Sequence, residues 1–241
     1  FSAVNSDIIK DVTLYKGGIP GRYGGRLSSV LDIIPRDGNR NKFAGNAGIS
    51  PITTHFVLEG PIVKDTLFYL IAGRTTYSNW ILRVIDDPAL NNSQALFNDL
   101  NARITYDINR NNKVDFSAYY SYDAFRLNSD TTYKYQNNIV SLRWRHYFSS
   151  RFFSAFTINN SFYKYDISSQ RVPQEAFALN HRINSTGFKA DFNWFTGRNE
   201  FNFGTDLNRY DVMPGDYMPS DDSSIVIPNS IERQRAIETA I

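Results

Sequence analysis

The sequence of 241 residues contains no cysteine, which excludes disulfide bonds and thiolate metal sites. It also has no long apolar run: the densest stretch, residues 67–72, is far shorter than the roughly 18 residues that suggest a membrane-spanning helix. A transmembrane β-strand needs only about 9 to 11 residues with one apolar face. The mean hydropathy of −0.40 is therefore compatible with a membrane β-barrel as well as with a soluble protein.

Signals for catalysis or metal binding are equally scarce. The three histidines fall on separate predicted elements: His55, His146 and His181. No HExxH, GxSxG or paired-carboxylate motif accompanies them. Four carboxylates share one predicted loop, but their spacing fits no EF-hand: Asp211, Asp216, Asp221 and Asp222. We therefore predict no catalytic residue, no metal site and no cofactor; a hydrolytic barrel is the alternative, and an activity screen would detect it.

Charge and aromatic content narrow the class of protein. Because 26 Lys and Arg nearly balance 24 Asp and Glu, a broad nucleic-acid-binding surface is not expected. The aromatic fraction of 15%, with 18 Phe and 15 Tyr, suits a sheet that has an apolar outer face and aromatic girdles.

Alternation of apolar and polar side chains dominates the chain after residue 41. In residues 98–109, Leu100, Ile104 and Ile108 lie on one side of a predicted strand, and Asp99, Arg103 and Asp107 on the other. The same pattern recurs in four further segments: 113–124, 137–148, 184–196 and 199–211. A soluble β-sandwich shows similar alternation, so the period alone does not decide the environment.

The connections favour a barrel. Tight turns near 110–112, 149–150 and 196–198 alternate with long polar segments near 79–97, 125–136, 166–183 and 212–231. Bacterial outer-membrane barrels have short periplasmic turns and long extracellular loops in this phase. We predict nine strands, at about 42–50, 53–60, 67–79, 98–109, 113–124, 137–148, 151–165, 184–196 and 199–211, and the start of a tenth within 231–241.

Residues 12–33 show a different pattern, a strand, a compact glycine loop and a second strand. The glycine pairs Gly17–Gly18 and Gly24–Gly25 permit positive φ or close backbone approach, which predicts a tightly packed loop. Phosphate binding is disfavoured, since no GK[ST] sequence follows and no helix opens after the loop.

These residues carry a family resemblance. SDIIKDVTLYKGG and RYGGRLSSVLDIIPRDGN resemble the C-terminal part of the plug domain of TonB-dependent outer-membrane receptors, in the variant common in Bacteroidetes. VLEGPIVKD, YDINRNNKVDFSAYYSYD and WRHYFSSRFFSAF resemble early barrel hairpins of the same receptors. The resemblance implies an all-β fold, a transmembrane antiparallel β-barrel preceded by part of a plug. Residues 1–40 would be the plug's C-terminal part and 41–241 the N-terminal portion of the barrel, nine or ten of about 22 strands.

The same resemblance implies a function and partners. We expect a fragment, with export signal, TonB box, first part of the plug and remaining barrel outside it, of a receptor in the bacterial outer membrane. It would take up a nutrient actively, a siderophore, cobalamin, glycan or peptide, driven by the inner-membrane TonB complex. Outer-membrane lipid, the nutrient and a surface lipoprotein would be its partners, and nucleic acid would not. Two alternatives are a passive or structural barrel and a soluble β-sandwich binding module.

Two sets of site residues follow. The first is the plug motif, which we expect to dock on the barrel: Gly17, Gly18, Arg22, Tyr23, Gly24, Gly25 and Arg26. Its two arginines would pair with wall carboxylates such as Asp99, Asp107, Asp115, Asp123, Asp191 or Glu200, or else be solvated. The second set lies in or beside the outer loops: Tyr133, Tyr135, Tyr163, Tyr165, Tyr210 and Tyr217. These tyrosines would either stack on a ligand or anchor a membrane-interface girdle.

Overall fold

The computed structural model describes residues 5–25, 28–87, 90, 93–127 and 131–241. The N-terminal segment, residues 5–43 as far as they are described, forms a two-stranded antiparallel sheet. Strand β1, Ile9–Tyr15, pairs with β2, Val30–Pro35. A one-turn 3-10 helix at Ser6–Ile8 precedes β1, and another at Gly21–Tyr23 lies in the loop that connects β1 to β2. This is the strand, glycine loop and strand that the sequence predicts.

The rest of the chain forms one large antiparallel sheet, called here the wall. Its strands are β3 Ala44–Ile49, β4 Thr53–Val63, β5 Leu67–Thr76, β6 Gln94–Asn109, β7 Asn112–Leu127, β8 Thr131–Ser149, β9 Phe152–Ser169, β10 Phe177–Thr196, β11 Asn199–Pro219, β12 Asn229–Ser230 and β13 Gln234–Ala240. Each strand from β3 to β11 pairs with the next along the chain, and β12 and β13 both pair with β11. A short helix, α1, spans Asn79–Val84 between β5 and β6.

The strand register sorts side chains onto two faces. One row across the wall, called the apolar face, consists of Tyr69, Ile104, Phe116, Leu142, Ile158, Phe188 and Leu207. Five of the seven side chains are exposed, including Leu142 at 46% and Ile158 at 55%, and Tyr69 and Phe116 are half-buried. Residues of opposite parity form the polar face, where Thr105 is 0% and Asp115 4% exposed.

This arrangement is the reverse of a soluble sheet, which buries apolar side chains and exposes polar ones. A wall with an apolar outer band and a polar, covered inner face is the arrangement of a transmembrane β-barrel. The fold class is therefore all-β and barrel-like, and the soluble β-sandwich is wrong. No helix in the described part of the chain is long and apolar enough to cross a membrane.

The tight turns lie at one end of the wall, as predicted. Asn109 pairs with Asn112, Ser149 with Phe152, and Thr196 with Asn199, so each turn has two central residues. Gly197 takes φ +58°, in the left-handed region that glycine adopts without steric cost.

The opposite end corrects the predicted loops. The described residues of 125–136, the segment 166–183 and the first part of 212–231 are largely strand, because β7 to β11 continue well beyond the apolar band. Thr131, for example, still pairs with Ser169. In these extensions the larger aromatic side chains, such as Tyr133, Tyr135 and Tyr165, lie on the inner face and Lys134 and Lys164 lie on the outer face. The pattern is therefore reversed relative to the apolar band, while the hydrogen-bonded ladder persists. Residues 234–240 are a strand paired with β11, as predicted, and not a helix.

Candidate functional site

The N-terminal segment packs on the polar face of the wall, and a small apolar cluster lies between them. Ile8 clusters with Val57, Leu70 and Ala72, and all four side chains are buried. Arg36 lies beside this cluster. Its Nε donates to the carbonyl oxygen of Asp7 at 2.8 Å, and its Nη1 bonds Glu59 of β4 at 2.7 Å.

A second set of contacts surrounds Asp37, directly after β2. Its Oδ1 accepts from Arg103 Nη2 at 3.0 Å, and its Oδ2 accepts from Lys113 Nζ at 3.0 Å. Arg103 also bonds Asp115 Oδ1 at 2.9 Å, and Arg145 bonds Asp115 Oδ2 at 2.6 Å. One carboxylate of the segment thus joins a charged network on β6, β7 and β8. We call Asp37, Arg103, Lys113, Asp115 and Arg145 the Asp37 network.

The Asp37 network favours the charged form of the Asp37 carboxylate. Burial alone would raise the pKa of Asp37, but hydrogen bonding and the positive charges of Lys113 and Arg103 outweigh it and lower that pKa below its ordinary value. The Asp37 carboxylate is therefore charged at neutral pH and pairs with Lys113 and Arg103.

Directly after Asp37, two further residues of the chain, Gly38 and Arg40, contact the wall closely. A Cβ added at Gly38 would overlap the carbonyl oxygen of Tyr69 in β5, so only glycine lets the two backbones approach. Arg40 then pairs with Asp107 at 2.9 Å, and its guanidinium lies 4.7 Å from the ring centroid of Phe68. Residues 36–40 are therefore bonded to the wall almost continuously.

The glycine loop contacts the other side of the wall. A Cβ at Gly24 would lie 2.6 Å from Cβ of Ala240, and one at Gly25 would lie 2.6 Å from Oε1 of Glu238, both in β13. Gly25 also takes φ +72°. By contrast, no described atom lies within 4 Å of a Cβ built at Gly17 or Gly18. The second glycine pair therefore packs against β13, whereas Gly17 and Gly18 follow the end of β1 and have no described neighbour at that distance.

Arg22 does not pair with a wall carboxylate. Its Nη2 lies 3.0 Å from Asp32 Oδ2, within the N-terminal segment, and Tyr23 OH donates to the same oxygen at 2.6 Å. The wall contact comes from Lys189 of β10, whose Nζ donates to the carbonyl oxygen of Arg22 and lies 5.7 Å from the Tyr23 ring. Arg26 lies outside the described residues.

A cavity of about 850 Å³ separates the glycine loop from β8 to β11. Charged side chains from both sides line it, among them Arg22, Arg143, Lys189, Asp191 and Asp206. It lies towards the tight-turn end of the polar face. The segment therefore covers this part of the wall without filling it.

The six candidate tyrosines share the polar face near the other end. In the strand ladder Tyr135 of β8 lies between Asp123 of β7 and Tyr165 of β9. Tyr163 is two residues from Tyr165 in β9 and therefore lies on the same face. Tyr210 pairs with Ser185 in the ladder. Tyr217, Leu179, Ile167 and Tyr133 form one row across β11, β10, β9 and β8. The rings of Tyr135 and Tyr165 stack at 4.7 Å and 9°, and Tyr165 stacks on His181 at 5.7 Å. These tyrosines face inward, whereas outward aromatics such as Trp144 and Trp194 lie near the tight turns.

Three solved structures share this architecture: "Copper transporter OprC", the siderophore receptor PiuA from Acinetobacter baumannii, and BauA, the ferric preacinetobactin receptor from the same species. Their TM-scores are 0.67, 0.62 and 0.64, at 12%, 11% and 12% identity, covering 86%, 96% and 98% of this chain. All three are TonB-dependent receptors. The wall has the fold of a TonB-dependent receptor barrel.

The likeness concerns part of such a barrel. The chain spans 34%, 42% and 43% of those three proteins, which is less than half of each. No protein-family model matches the sequence, and no curated protein matches it.

In this TonB-dependent receptor fold, the strongest docking residues were not among the predicted ones. Arg36, Asp37 and Arg40 form ion pairs with the wall, whereas Arg22 pairs with Asp32. The available signal was the charged run PRDGNR directly after an apolar strand. The loop carboxylates also have ordinary roles: Asp211 pairs with Arg233, and Asp221 accepts from Ser223.

Proposed function

We propose that this chain forms the C-terminal part of a plug and the first part of the barrel wall of a TonB-dependent receptor. The boundary would lie near residue 40, where the N-terminal segment passes into β3. The receptor would take up a nutrient across the bacterial outer membrane, energised by the TonB complex acting on residues upstream of those present. The protein would perform no covalent chemistry.

One observation carries this proposal: the N-terminal segment is bonded to the polar face of a wall whose other face is apolar and exposed. In a closed barrel the polar face lines the lumen, and a segment bonded to that face supports the proposal that it is part of a plug. A passive pore, the main alternative, would have no use for a segment that obstructs its lumen.

Further wall strands are part of the proposal. In the described chain, β3 is paired only on the β4 side and β13 only on the β11 side. An open sheet edge within lipid would leave backbone N–H and C=O groups without partners, at a cost of several kcal/mol for each group. Pairing of these edges with additional strands of the same receptor would remove that cost.

The inward tyrosines would line the ligand's entry path. Phenol rings and hydroxyls offer both stacking and hydrogen bonds, which suits ring-bearing nutrients. The surface lipoprotein remains a proposed partner at the outer loops, and the choice among siderophore, cobalamin, glycan and peptide is set by those loops.

The test is performed on the full-length protein in its native cell. We expect it in the outer-membrane fraction, with heat-modifiable gel mobility. Deletion of its gene should abolish growth on one member of a panel of iron chelates, cobalamin, glycans and peptides, and deletion of TonB should have the same effect. Recovery in the soluble fraction would overturn the barrel, and growth that needs the gene but not TonB would make it a passive pore.

A further inference from the structure

Three inward side chains form one continuous stack at the end of the wall opposite the tight turns, called here the outer end. Tyr135, Tyr165 and His181 are direct neighbours on β8, β9 and β10, in one row of the strand ladder. The rings of Tyr135 and Tyr165 lie 4.7 Å apart at 9°, and those of Tyr165 and His181 lie 5.7 Å apart at 17°. We call these three residues the ring row.

The faces of these rings are used within the protein. Tyr165 lies between its two neighbours in the stack, so both of its faces are covered. His181 lies beside the backbone of β11, since a Cβ built at Gly215 would be 3.5 Å from His181 Cε1. The ring spacing is close to the roughly 4.8 Å between paired strands, so the rings follow one another along the sheet and turn their edges to the lumen. A ligand in the lumen therefore meets ring edges and polar atoms at Tyr165, and not a free ring face.

The edges carry a defined set of hydrogen-bonding groups. His181 Nδ1 contacts the carbonyl oxygen of Pro214, which can only accept, so Nδ1 carries the proton and Nε2 of the neutral ring is an acceptor. The hydroxyls of Tyr135 and Tyr165 bond each other, which leaves one O–H donor and the remaining lone pairs for a ligand. Asp123 of β7 follows Tyr135 in the same row and adds a carboxyl group.

The cations of the outer end lie mostly on the other face of the wall. Strand parity directs three of them outward: Lys134, Lys164 and Arg182. Among the described strand residues from the Asp99 row outward, the inward cation is Arg74, which is paired with Asp99 at 2.7 Å. An anionic ligand would therefore meet no unpaired cation on this part of the inner face, and its loss of hydration would not be compensated.

We propose that the ring row binds the hydroxyl groups of an uncharged oligosaccharide at the ring edges. Sugar hydroxyls both donate and accept, so a chain of them can satisfy the phenol hydroxyls, the imidazole nitrogen and the Asp123 carboxyl group together. These residues belong to paired strands and not to loops, so the ring row is a preorganised template that narrows the class of nutrient. The inference rests on the receptor function proposed above and selects one of its four nutrient classes.

The first experiment identifies the class of nutrient. Cells with and without the gene for the full-length receptor receive one limiting nutrient from either of two panels: neutral oligosaccharides of glucose, mannose, xylose or galactose, and negatively charged ferric catecholate or ferric citrate chelates. We expect growth that requires both the gene and TonB on at least one oligosaccharide and on no chelate. Such growth on a chelate would overturn the inference and leave the proposed function standing. Growth that requires the gene but not TonB would refute the proposed function itself, and growth that requires the gene on neither panel would overturn the inference.

The second experiment separates edge contacts from ring contacts. Tyr135→Phe combined with Tyr165→Phe keeps both rings and their stack but removes both hydroxyls. Calorimetry on the purified full-length receptor, with the oligosaccharide that supports growth, should show binding weakened by about 10- to 100-fold, from the loss of two hydrogen-bonding groups. Unchanged binding would overturn the inference, because the rings alone would then hold the sugar.

The matched control removes two hydroxyls from the outer face of the wall. Tyr120→Phe combined with Tyr122→Phe alters side chains of β7 that share the parity of Phe116 on the apolar face, and we expect it to leave binding unchanged. An equal loss in this control would overturn the assignment to the ring row. Heat-modifiable gel mobility verifies that each variant assembles. If the Tyr135 and Tyr165 double variant does not assemble, Tyr165→Phe alone is measured, for which we expect a loss of about fivefold and for which unchanged binding would again overturn the inference.

Discussion

The same substitution on the apolar face and on the polar face of the wall gives the sharpest test of the fold. Ile158 and Asn159 are neighbours in β9, but Ile158 lies on the apolar face with 55% of its surface exposed, and Asn159 lies on the polar face between Ser141 and Gly187. Ile158→Arg would place a guanidinium among lipid chains near the middle of the band. Asn159→Arg would place the same group in the aqueous lumen.

The expected magnitudes differ strongly. Arg on the lipid face of a barrel costs about 2 to 4 kcal/mol near the midplane. This corresponds to a decrease of about 30- to 900-fold in the folding equilibrium constant. The Asn159→Arg side chain stays hydrated, so we expect its cost to remain below about 1 kcal/mol, as for ordinary substitutions outside a packed core.

The measurement is reversible urea unfolding of the full-length protein in bilayers, with midpoint and slope determined for wild type and both variants. Equal destabilisation by the two variants would refute the assignment of faces. A larger cost at Asn159 would mean that the register is shifted by one residue, since such a shift exchanges the faces of every side chain.

Four further outcomes test the docking and topology. Asp37→Asn combined with Lys113→Met in a double-mutant cycle should give a coupling energy of about 0.5 to 1 kcal/mol for segment docking, measured by protease accessibility of the N-terminal segment; additive effects would mean that the pair is not coupled. Gly38→Ala should loosen the segment by collision with Tyr69, while the control Gly17→Ala, with no described atom near its Cβ, should not. Because the pKa of Asp37 is lowered in the folded protein, the contribution of its charge to segment docking is complete above the ordinary carboxyl pKa of about 4 and is lost as pH falls through the folded value. Protease accessibility of the segment should therefore rise below about pH 4 in the wild type, and Asp37→Asn should lose this pH dependence. Cysteine introduced at Gln174 or Asp222 should react with an impermeant reagent on intact cells, and cysteine at Asn111 or Ser149 should not; equal labelling would contradict the topology.

The sequence predicted the wall well where one face contacts lipid. In β7, Val114, Phe116 and Ala118 alternate with Asp115 and Ser117, and the structure has this strand in place. Beyond the apolar band the pattern reverses, with Tyr133 and Tyr135 on the inner face and Lys134 on the outer face, and there the prediction replaced the outer strand ends with loops. Residue patterns report environment, while the ladder of β9 and β10 up to Ser169 and Phe177 is held by backbone hydrogen bonds.

The docking contacts were less predictable, because they join residues far apart in sequence. Arg103 and Asp37 are separated by 66 positions, and nothing in local spacing marks them as partners. Arg22 illustrates the converse error. A basic residue in a predicted plug loop was expected to reach the wall, but Asp32 on the adjacent strand is nearer and forms the pair.

The chemistry of the docking surface bears on how a plug is held and released. Among the described residues its buried apolar component is one small cluster around Ile8, and most other contacts are ion pairs or bonds to backbone atoms. Ion pairs that reach water contribute only about 0 to 1 kcal/mol each. An apolar interface of the same area would be stronger and slower to separate. We therefore expect the segment to be held by many individually weak bonds, which under the proposed function a pull applied from the periplasm would break in sequence. Strengthening the interface, by replacing Arg36 and Glu59 together with leucine, should keep the barrel assembled and reduce uptake; unchanged uptake would show that this contact does not move during transport.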